Sequence, residues 1–390
     1  MTMPGLDSSL EVLQDAPLKP YTTFKIGGPA RNFCTVTTPE QVREAIGLAR
    51  AQSLPIFVLG GGSNILVSDA GFGGLVIHPA QTGVEAIERD ATPDTGSAGI
   101  RLRIAAGEPW DRAVAFTVER GWWGVENLSH IPGQSGAALV QNIGAYGQQL
   151  SDVFERADVL RTSDGGLHVL AAAECGLGYR RSIFNSTQRG EFLIWSITLD
   201  LTRNPMPQLG YRDVQAYFAE RGTRHPRQRE IREAIIHIRD RKFPFPREER
   251  GGNAGSFFKN PALDPAAWES LSTRIEARFG ETGKTKFTEL RQRPNRDGSP
   301  TATPSGPANV PAAFLIDICG LKGFEAGRAQ VNPSQPLVIL NQGGATADDV
   351  LRVAGHVRRT VHRETGVVLE LEPELVGFSP EDAQRYLGLP

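Results

Sequence analysis

The chain of 390 residues carries 42 Lys and Arg against 44 Asp and Glu, a formal charge of −2, with 39% hydrophobic and 22% charged residues. That balance is ordinary for a globular protein and leaves no global field to draw it to nucleic acid or an anionic membrane. Any anion must be held by a local arrangement.

The length predicts two or three domains. Cys34, Cys175 and Cys319 are far apart and form no CxxC pair, which argues against a disulfide framework or a structural zinc site and suits a reducing cytosol. Seven histidines without HxxxH or HxH spacing give a metal site no support. No apolar run approaches the roughly 18 to 20 residues of a membrane span, so no membrane insertion is expected. Met1 to Pro17 lacks the basic and apolar regions of a secretory signal.

Along the chain, Pro39 to Gln52 reads as a helix with Val42, Ala45, Ile46 and Ala49 on one face. Ile56 to Leu59 reads as a buried strand ending in a glycine loop, and Leu75 to Ile77 as the next strand. Ile100 to Ala106 alternates as a half-buried strand, and Trp110 to Arg120 is helical with Gly121 as its stop. Strands follow at Ala157 to Leu160, His168 to Leu170 and Phe192 to Leu201. Arg227 to Asp240 is a basic amphipathic helix, and residues 312 to 342 hold strands or short helices around Phe314-Leu315-Ile316. Asp348 to Arg363 is helical and Val367 to Leu371 closes as a strand. Strands interrupted by helices without strict βαβ repetition predict an α+β fold. Arg293 to Pro311, rich in Pro, Gly and Ser, reads as a flexible surface insertion, and disorder is the expectation for the whole stretch between Pro261 and Ala312.

Several short stretches concentrate polar groups on glycine-permitted backbone. In Gly60-Gly61-Gly62-Ser63-Asn64 successive N–H groups can form an anion nest for a phosphate or pyrophosphate, with Ser63 and Asn64 as added donors; a plain turn is the alternative. The stretch is not GxGxxG, which disfavours a Rossmann site. Asn127 to Gly147 offers a second backbone clamp at Ile131-Pro132-Gly133 with Gly136, and polar tips at Asn142 and Tyr146. Arg180, beside Tyr179 and two glycines, can pair bidentately with a carboxylate or phosphate, or be merely solvated. Lys242 and Tyr211 are ligand donors or ordinary surface residues. Glu370, Glu372 and Glu374 alternate along a strand end that Pro373 bends. Gly255-Ser256-Phe257-Phe258-Lys259-Asn260-Pro261 crowds a hydroxyl, an ammonium and an amide into one glycine-led stretch.

Taken in order, TTFKIGGPA (Thr22 to Ala30), VLGGGSNIL (Val58 to Leu66), IPGQSGAALVQNIGAYG (Ile131 to Gly147), GYRRSIF (Gly178 to Phe184), GNAGSFFKNP (Gly252 to Pro261), FLIDICGLKG (Phe314 to Gly323) and LEPEL (Leu371 to Leu375) resemble the UDP-N-acetylenolpyruvoylglucosamine reductases, specifically the type I branch with an extra tyrosine-bearing loop. The resemblance implies an FAD-binding module of the vanillyl-alcohol-oxidase (PCMH) type with two subdomains, 1–80 and 81–246. An α+β substrate-binding domain, 247–377, would follow, with the flexible insertion at about 293–311, and the tail 378–390 would return to the first subdomain.

The same resemblance implies non-covalent FAD held by Gly60, Gly61, Gly62, Ser63, Asn64, Ile131, Pro132, Gly133, Gly136, Asn142 and Gly144. NADPH would be the co-substrate, and UDP-N-acetylglucosamine enolpyruvate the substrate reduced to UDP-N-acetylmuramate by a cytoplasmic monomer. Hydride would reach the vinyl CH2 carbon, and Ser256 would protonate the α-carbon. Arg180 and Glu374 would stabilise the intermediate enolate, Glu374 as a protonated donor or by orienting water or Arg180. Tyr179, Tyr211, Lys242, Asn260 and Gln335 match substrate contacts. Thr22 departs from the asparagine usual at its position. Another flavin oxidase would commonly hold flavin through a histidine or cysteine near the glycine loop, and none lies within Gly60 to Ala70.

Overall fold

The computed structural model describes residues 10–89, 99–242, 251–291 and 308–389. They form two compact units: one of the residues up to Leu18, Pro29–Gly62 and Gly71–Arg239, the other of Lys19–Gly28, Ser63–Ala70 and the residues from Asp240 onward. Residues 293–307 of the expected insertion lie outside the described residues.

The first unit holds two sheets. In one, Leu13–Pro17 pairs antiparallel with Pro29–Val36, which runs parallel to Phe72–Pro79, which runs parallel to Ile56–Val58. Helix α1, Pro39–Ala51, starts where the sequence signals it: Thr38 caps it in a capping box with Gln41, and Pro39 occupies a first-turn position whose N–H is dispensable. Its face of Val42, Ala45, Ile46 and Ala49 packs on Cys34, Val36, Leu75 and Ile77. The other sheet is antiparallel, in the order Leu167–Ala171, Phe154–Arg161, Phe192–Thr202, Gly99–Ala105, Val84–Arg89. One face buries Ile100, Leu102, Ile104, Val159, Ile197 and Leu199 with Trp110 and Val114 of α2 (Trp110–Glu119) and Leu139 of α3 (Ser135–Val140). The other face carries charge, with Arg103 Nη2 2.7 Å from Asp158 Oδ2, which also accepts from Ser196 Oγ. Helix α2 ends as expected: Gly121 follows the cap with φ 68°, the left-handed value glycine takes at no steric cost. Helices α4, Arg212–Glu220, and α5, Gln228–Lys242, contribute Val214, Phe218, Ile231, Ala234, Ile235 and Ile238 to a further apolar cluster with Trp123 and Tyr146.

The second unit is centred on α8, Ala347–Thr365, where Val350, Leu351, Val353, Ala354, Val357 and Val361 are buried. Around it pack Phe24, Phe257, Phe258, Leu315 and Ile316, the last two from α7, Ala312–Ile318. Strand Glu374–Val376 runs parallel to Ile65–Val67. The tail forms α9, Pro380–Leu387, against α8 in this same unit. A Cβ at Gly355 would lie 2.1 Å from the Tyr386 carbonyl oxygen, and Arg359 Nη1 donates to that carbonyl at 2.9 Å.

Two sequence expectations need correction. Val367–Leu371 is extended but forms only an isolated bridge, Leu371 to Phe258, because the segment facing it is short and Pro373 interrupts the run. Disorder does not extend over the stretch from Pro261 to Ala312: residues Pro265–Arg291 are helical (α6) and break at Gly280, φ 61°. The two arms run antiparallel, since Glu276 pairs with Lys284 at 2.7 Å and Glu269 with Arg291 at 3.4 Å. Trp268, Leu271, Ile275, Phe287 and Leu290 bury one face. Trp268, Leu271 and Ile275 recur at helical spacing, a signal that the neighbouring proline-rich sequence masks.

Trp268→Ala should therefore cost about 3–5 kcal/mol, the usual penalty for emptying a buried aromatic site. Urea unfolding followed by far-UV circular dichroism measures it, and a loss under about 1 kcal/mol would make the hairpin peripheral to the core.

Candidate active site

In the first unit the glycine loop follows a parallel strand. Val58 faces Ile77, Leu59 N–H donates to Ile77 O at 2.9 Å, and His78 Nδ1 lies 2.7 Å from Leu59 O, the carbonyl just before Gly60. The loop packs backbone to backbone on the second glycine-rich turn. A Cβ on Gly61 would sit 2.5 Å from Gly133 Cα and 2.9 Å from Gln134 N; one on Gly60 would sit 2.8 Å from Ala137 Cβ. A Cβ on Gly136 would meet Ala106 Cβ at 2.6 Å. These are distances that real Cβ atoms do not adopt, so glycine is required by contact. Gly62 and Gly133 add φ values of 57° and 116°.

The second turn is itself clamped. Trp110 N–H donates to Gly133 O at 3.0 Å, Ser135 N–H to Glu108 O at 2.9 Å and Gly136 N–H to Ala106 O at 2.9 Å. Among the described residues, the amides of Gly60 and Gly61 meet no protein acceptor. Paired loops with backbone donors and no side chains, at the C-terminal end of a parallel strand, fit a diphosphate-bearing cofactor.

A second cluster surrounds Arg180. Its residue adopts φ 53°, unusual for a non-glycine, inside a tight turn where the amides and carbonyls of Gly178 and Arg181 exchange hydrogen bonds at 2.9 and 3.2 Å. Arg180 Nη2 donates to Gly144 O at 2.9 Å, and the guanidinium carbon lies 5.3 Å from the Tyr179 ring centre. Asn142 holds this turn: its Nδ2 donates to Gly178 O at 3.0 Å and Ser151 Oγ at 3.1 Å, and its Oδ1 accepts from Ser151 N at 2.9 Å. The side chain expected to face cofactor is thus committed to protein groups beside Arg180. Gly144 opens a short hairpin whose turn, Tyr146-Gly147, has φ 47° and 88°. Tyr146 is buried and meets Tyr211 edge-on at 5.2 Å. Burial pushes the Tyr146 phenol up to about 12 and also raises that of Tyr211, whose neighbour Asp213 adds to the effect.

In the second unit Ser256 lies on a segment bonded to two others. Ser256 bridges Val338, Phe257 N–H donates to Leu337 O at 2.7 Å, Glu372 N–H to Phe257 O at 3.0 Å and Lys259 N–H to Glu370 O at 2.9 Å. The run from Glu370 then reaches Glu374, whose N–H donates to Asn64 O at 3.0 Å while Asn64 Nδ2 donates to Glu372 O at 3.1 Å. Ser256, Glu374 and Asn64, distant in sequence, so share one row of paired backbone, with Ser63 next to Asn64. Asn260 Oδ1 accepts from Ala312 N at 2.9 Å and anchors the start of α7. Gln335 sits in the turn before Leu337, where its N–H bonds Asn332 Oδ1 at 3.2 Å, and Lys242 ends α5.

Sequence reasoning overlooked two contributors. His78 reaches the glycine loop through strand register, which alternation alone does not disclose. Asn127 is fully buried, its Nδ2 donating to Tyr146 O at 2.7 Å and Gln208 O at 2.8 Å; an amide inside a glycine-rich run was its only signal. Among the described residues no group of three His, Cys, Asp or Glu could hold a metal ion, and no helix is long and apolar enough to cross a membrane.

Residues 246–376 match the C-terminal domain of UDP-N-acetylenolpyruvoylglucosamine reductase, and residues 30–171 match an FAD binding domain. The UDP-N-acetylenolpyruvoylglucosamine reductase of Burkholderia multivorans is 38% identical over 96% of this chain and 99% of its own. The chain belongs to the UDP-N-acetylenolpyruvoylglucosamine reductase family. The Pseudomonas aeruginosa reductase is 39% identical over 94% of this chain and 99% of its own. The crystal structure of the reductase from Thermus caldophilus superposes with a TM-score of 0.58 at 26% identity, covering 94% of this chain and 99% of that one. The α+β class and the FAD-binding module expected from sequence are both borne out in this reductase-family chain.

Two outcomes follow. Gly61→Ala forces a Cβ against Gly133 backbone, which no side-chain rotation relieves; the purified variant should carry markedly less flavin per chain, read from the ratio of visible to 280 nm absorbance. Burial holds His78 below its ordinary range, the Leu59 carbonyl offsetting part of the shift. Unfolded His78 titrates near 6.5, so the unfolded state binds the extra proton just below that pH. Its share of stability is present above about 6.5 and is lost as pH falls toward the depressed value. His78→Gln should flatten that part of a stability–pH curve from urea titrations; an unchanged slope would mean His78 titrates normally.

Proposed function

We infer that this chain catalyses the FAD-dependent reduction of UDP-N-acetylglucosamine enolpyruvate to UDP-N-acetylmuramate, with NADPH as reductant. Family membership over 96% of the chain carries the reading, with relatives named for that reductase. The apposed glycine loops support it by fitting a diphosphate-bearing cofactor. FAD, held by the loops 60–64 and 131–136, would supply the hydride chemistry that links NADPH to the substrate's vinyl CH2 carbon.

The chain's own residues then manage charge and one proton. Ser256 Oγ–H gives its proton to the α-carbon, which completes addition of two hydrogens across the double bond. A serine hydroxyl is a weak acid, so the fixed segment around it supports the role better than its acidity does. Arg180 and Glu374 act on the substrate carboxylate into which charge spreads, and preplaced donors of this kind are worth roughly 3–4 kcal/mol each. The left-handed turn and the Gly144 contact support Arg180, because they hold a guanidinium in one place before substrate arrives. Lys242, Tyr211, Asn260, Tyr179 and Gln335 complete the substrate contacts. The product feeds peptidoglycan synthesis, and with it cell-wall growth, shape and division. A cytoplasmic monomer suits unpaired cysteines and a nucleotide-sugar substrate.

NADPH oxidation should depend on the enolpyruvyl sugar. In stopped-flow measurements Ser256→Ala should reduce flavin with NADPH at near the parent rate. It should then slow reoxidation by substrate about 10²- to 10⁴-fold. Parental turnover in that variant would remove Ser256 from the proton-donor role.

A further inference from the structure

The turn Ile131-Pro132-Gly133 is preceded by a residue in an unfavourable conformation. His130 has φ 60°, a value that costs a side chain bearing a Cβ and suits glycine. Both of its peptide groups are held from outside the turn. Its N–H donates to Asp111 Oδ1 at 2.5 Å, and its carbonyl accepts from Arg239 Nε at 2.8 Å. Asp111, on α2, is gripped in turn by Arg232 of α5 through two parallel bonds, Nη1 to Oδ1 at 2.6 Å and Nη2 to Oδ2 at 2.9 Å. The two side chains are only 27% and 16% exposed. The same face of α5 sends Gln228 Nε2 to Trp122 O at 2.7 Å and Glu126 Oε2 at 3.3 Å. Two positions of one helix, Gln228 and Arg239, therefore reach the segment from 122 to 130 directly, and Arg232 reaches it through Asp111.

We propose that Asp111 and Arg232 are positioning residues for the cofactor: they hold His130 left-handed and thereby fix Gly133 against Gly61. The inference rests on the FAD reading above. A bidentate Arg–carboxylate pair is geometrically specific, unlike a general ionic attraction, which suits the task of holding a backbone N–H in place. Without the pair, His130 relaxes toward an ordinary φ, and the binding-competent turn becomes a minor population. Apparent FAD affinity then falls by that fraction. Glycine at 130 reaches the left-handed value unaided, so it should restore affinity without restoring the pair. That rescue separates positioning from simple support of the fold.

The test uses flavin-stripped protein titrated with FAD, read by quenching of flavin fluorescence and by visible circular dichroism of the bound flavin. Asp111→Asn should raise the dissociation constant about 5- to 30-fold, the factor that corresponds to one left-handed penalty. It should also alter the flavin dichroism. The double variant Asp111→Asn with His130→Gly should recover most of the affinity, even where thermal unfolding of the stripped protein shows the fold no more stable than in the single variant. Arg232→Lys, alone and with His130→Gly, makes the same comparison if Asp111→Asn does not fold. Parental affinity in the single variants, or no recovery in the doubles, overturns the proposal. Failure of the parent itself to bind FAD would instead strike the functional reading.

Discussion

The contact on which the first unit depends is backbone against backbone, Gly61 on Gly133. A side chain at 61 cannot make it, because a Cβ there would sit 2.5 Å from Gly133 Cα. It removes conformational freedom from two loops at once and leaves the Gly60 and Gly61 amides at the surface of the pair. Everything nearby serves to keep that contact. His78 holds the carbonyl before Gly60, Trp110 holds Gly133 O, and Ala106 and Glu108 accept the amides that open α3. Loops ordinarily sit at the low-stability end of a protein. Here the loops are tied to a sheet and to α2, which lets them present donors without reorganising when an anion arrives.

Backbone strain recurs here. Of the seven described non-glycine residues with positive φ, four, His130, Asn142, Tyr146 and Arg180, belong to the two clusters of the first unit. Each is restrained by a named partner: Asp111 and Arg239 for His130, Ser151 for Asn142, Asn127 for the Tyr146 carbonyl, Asn185 Nδ2 for the Arg180 carbonyl at 3.1 Å. Such residues persist only where the surroundings over-determine them, and they cluster at functional sites. The observation runs from outlier to function: four adjacent departures from ordinary backbone geometry mark one region of one unit.

Much of this was legible in the sequence, for reasons that differ by residue. The helices α1, α2 and α8 could be read because capping box, glycine stop and apolar spacing agree locally. The glycine loops could be read because glycine advertises close approach. What the sequence hid was pairing. That Asn64, Glu374 and Ser256 share a row of backbone depends on register between segments about 190 and 120 residues apart, as does the reach of His78 to Leu59. The assignment of residues 19–28 and 63–70 to the second unit is hidden for the same reason. The α6 hairpin was legible in principle from Trp268, Leu271 and Ile275, but low-complexity sequence beside it suggested disorder for the whole stretch. Asn142 shows a further part that register hides: one of its hydrogen bonds goes to Gly178 O in the Arg180 turn and two go to Ser151.

The segment around Ser256 shows how a weak acid acquires a role. Phe257 and Phe258 are consecutive and both buried, with rings 5.5 Å apart edge to face in the same core, and the backbone bends at Phe257. Two buried rings and hydrogen bonds to both the Leu337 and the 370–372 segments leave the chain beside Ser256 no low-cost way to slide. Gly255 at φ 71°, its N–H held by Asn253 Oδ1 at 2.9 Å, turns the chain into this run just before Ser256. A hydroxyl so placed has little freedom beyond rotation about its own side-chain bond. Proton delivery to carbon from a poor acid requires the donor to be in line when charge develops, because no thermodynamic drive toward ionisation will bring it there. On the proposed mechanism the two phenylalanines serve chemistry as well as stability: the apolar core of the second unit holds the backbone that carries Ser256.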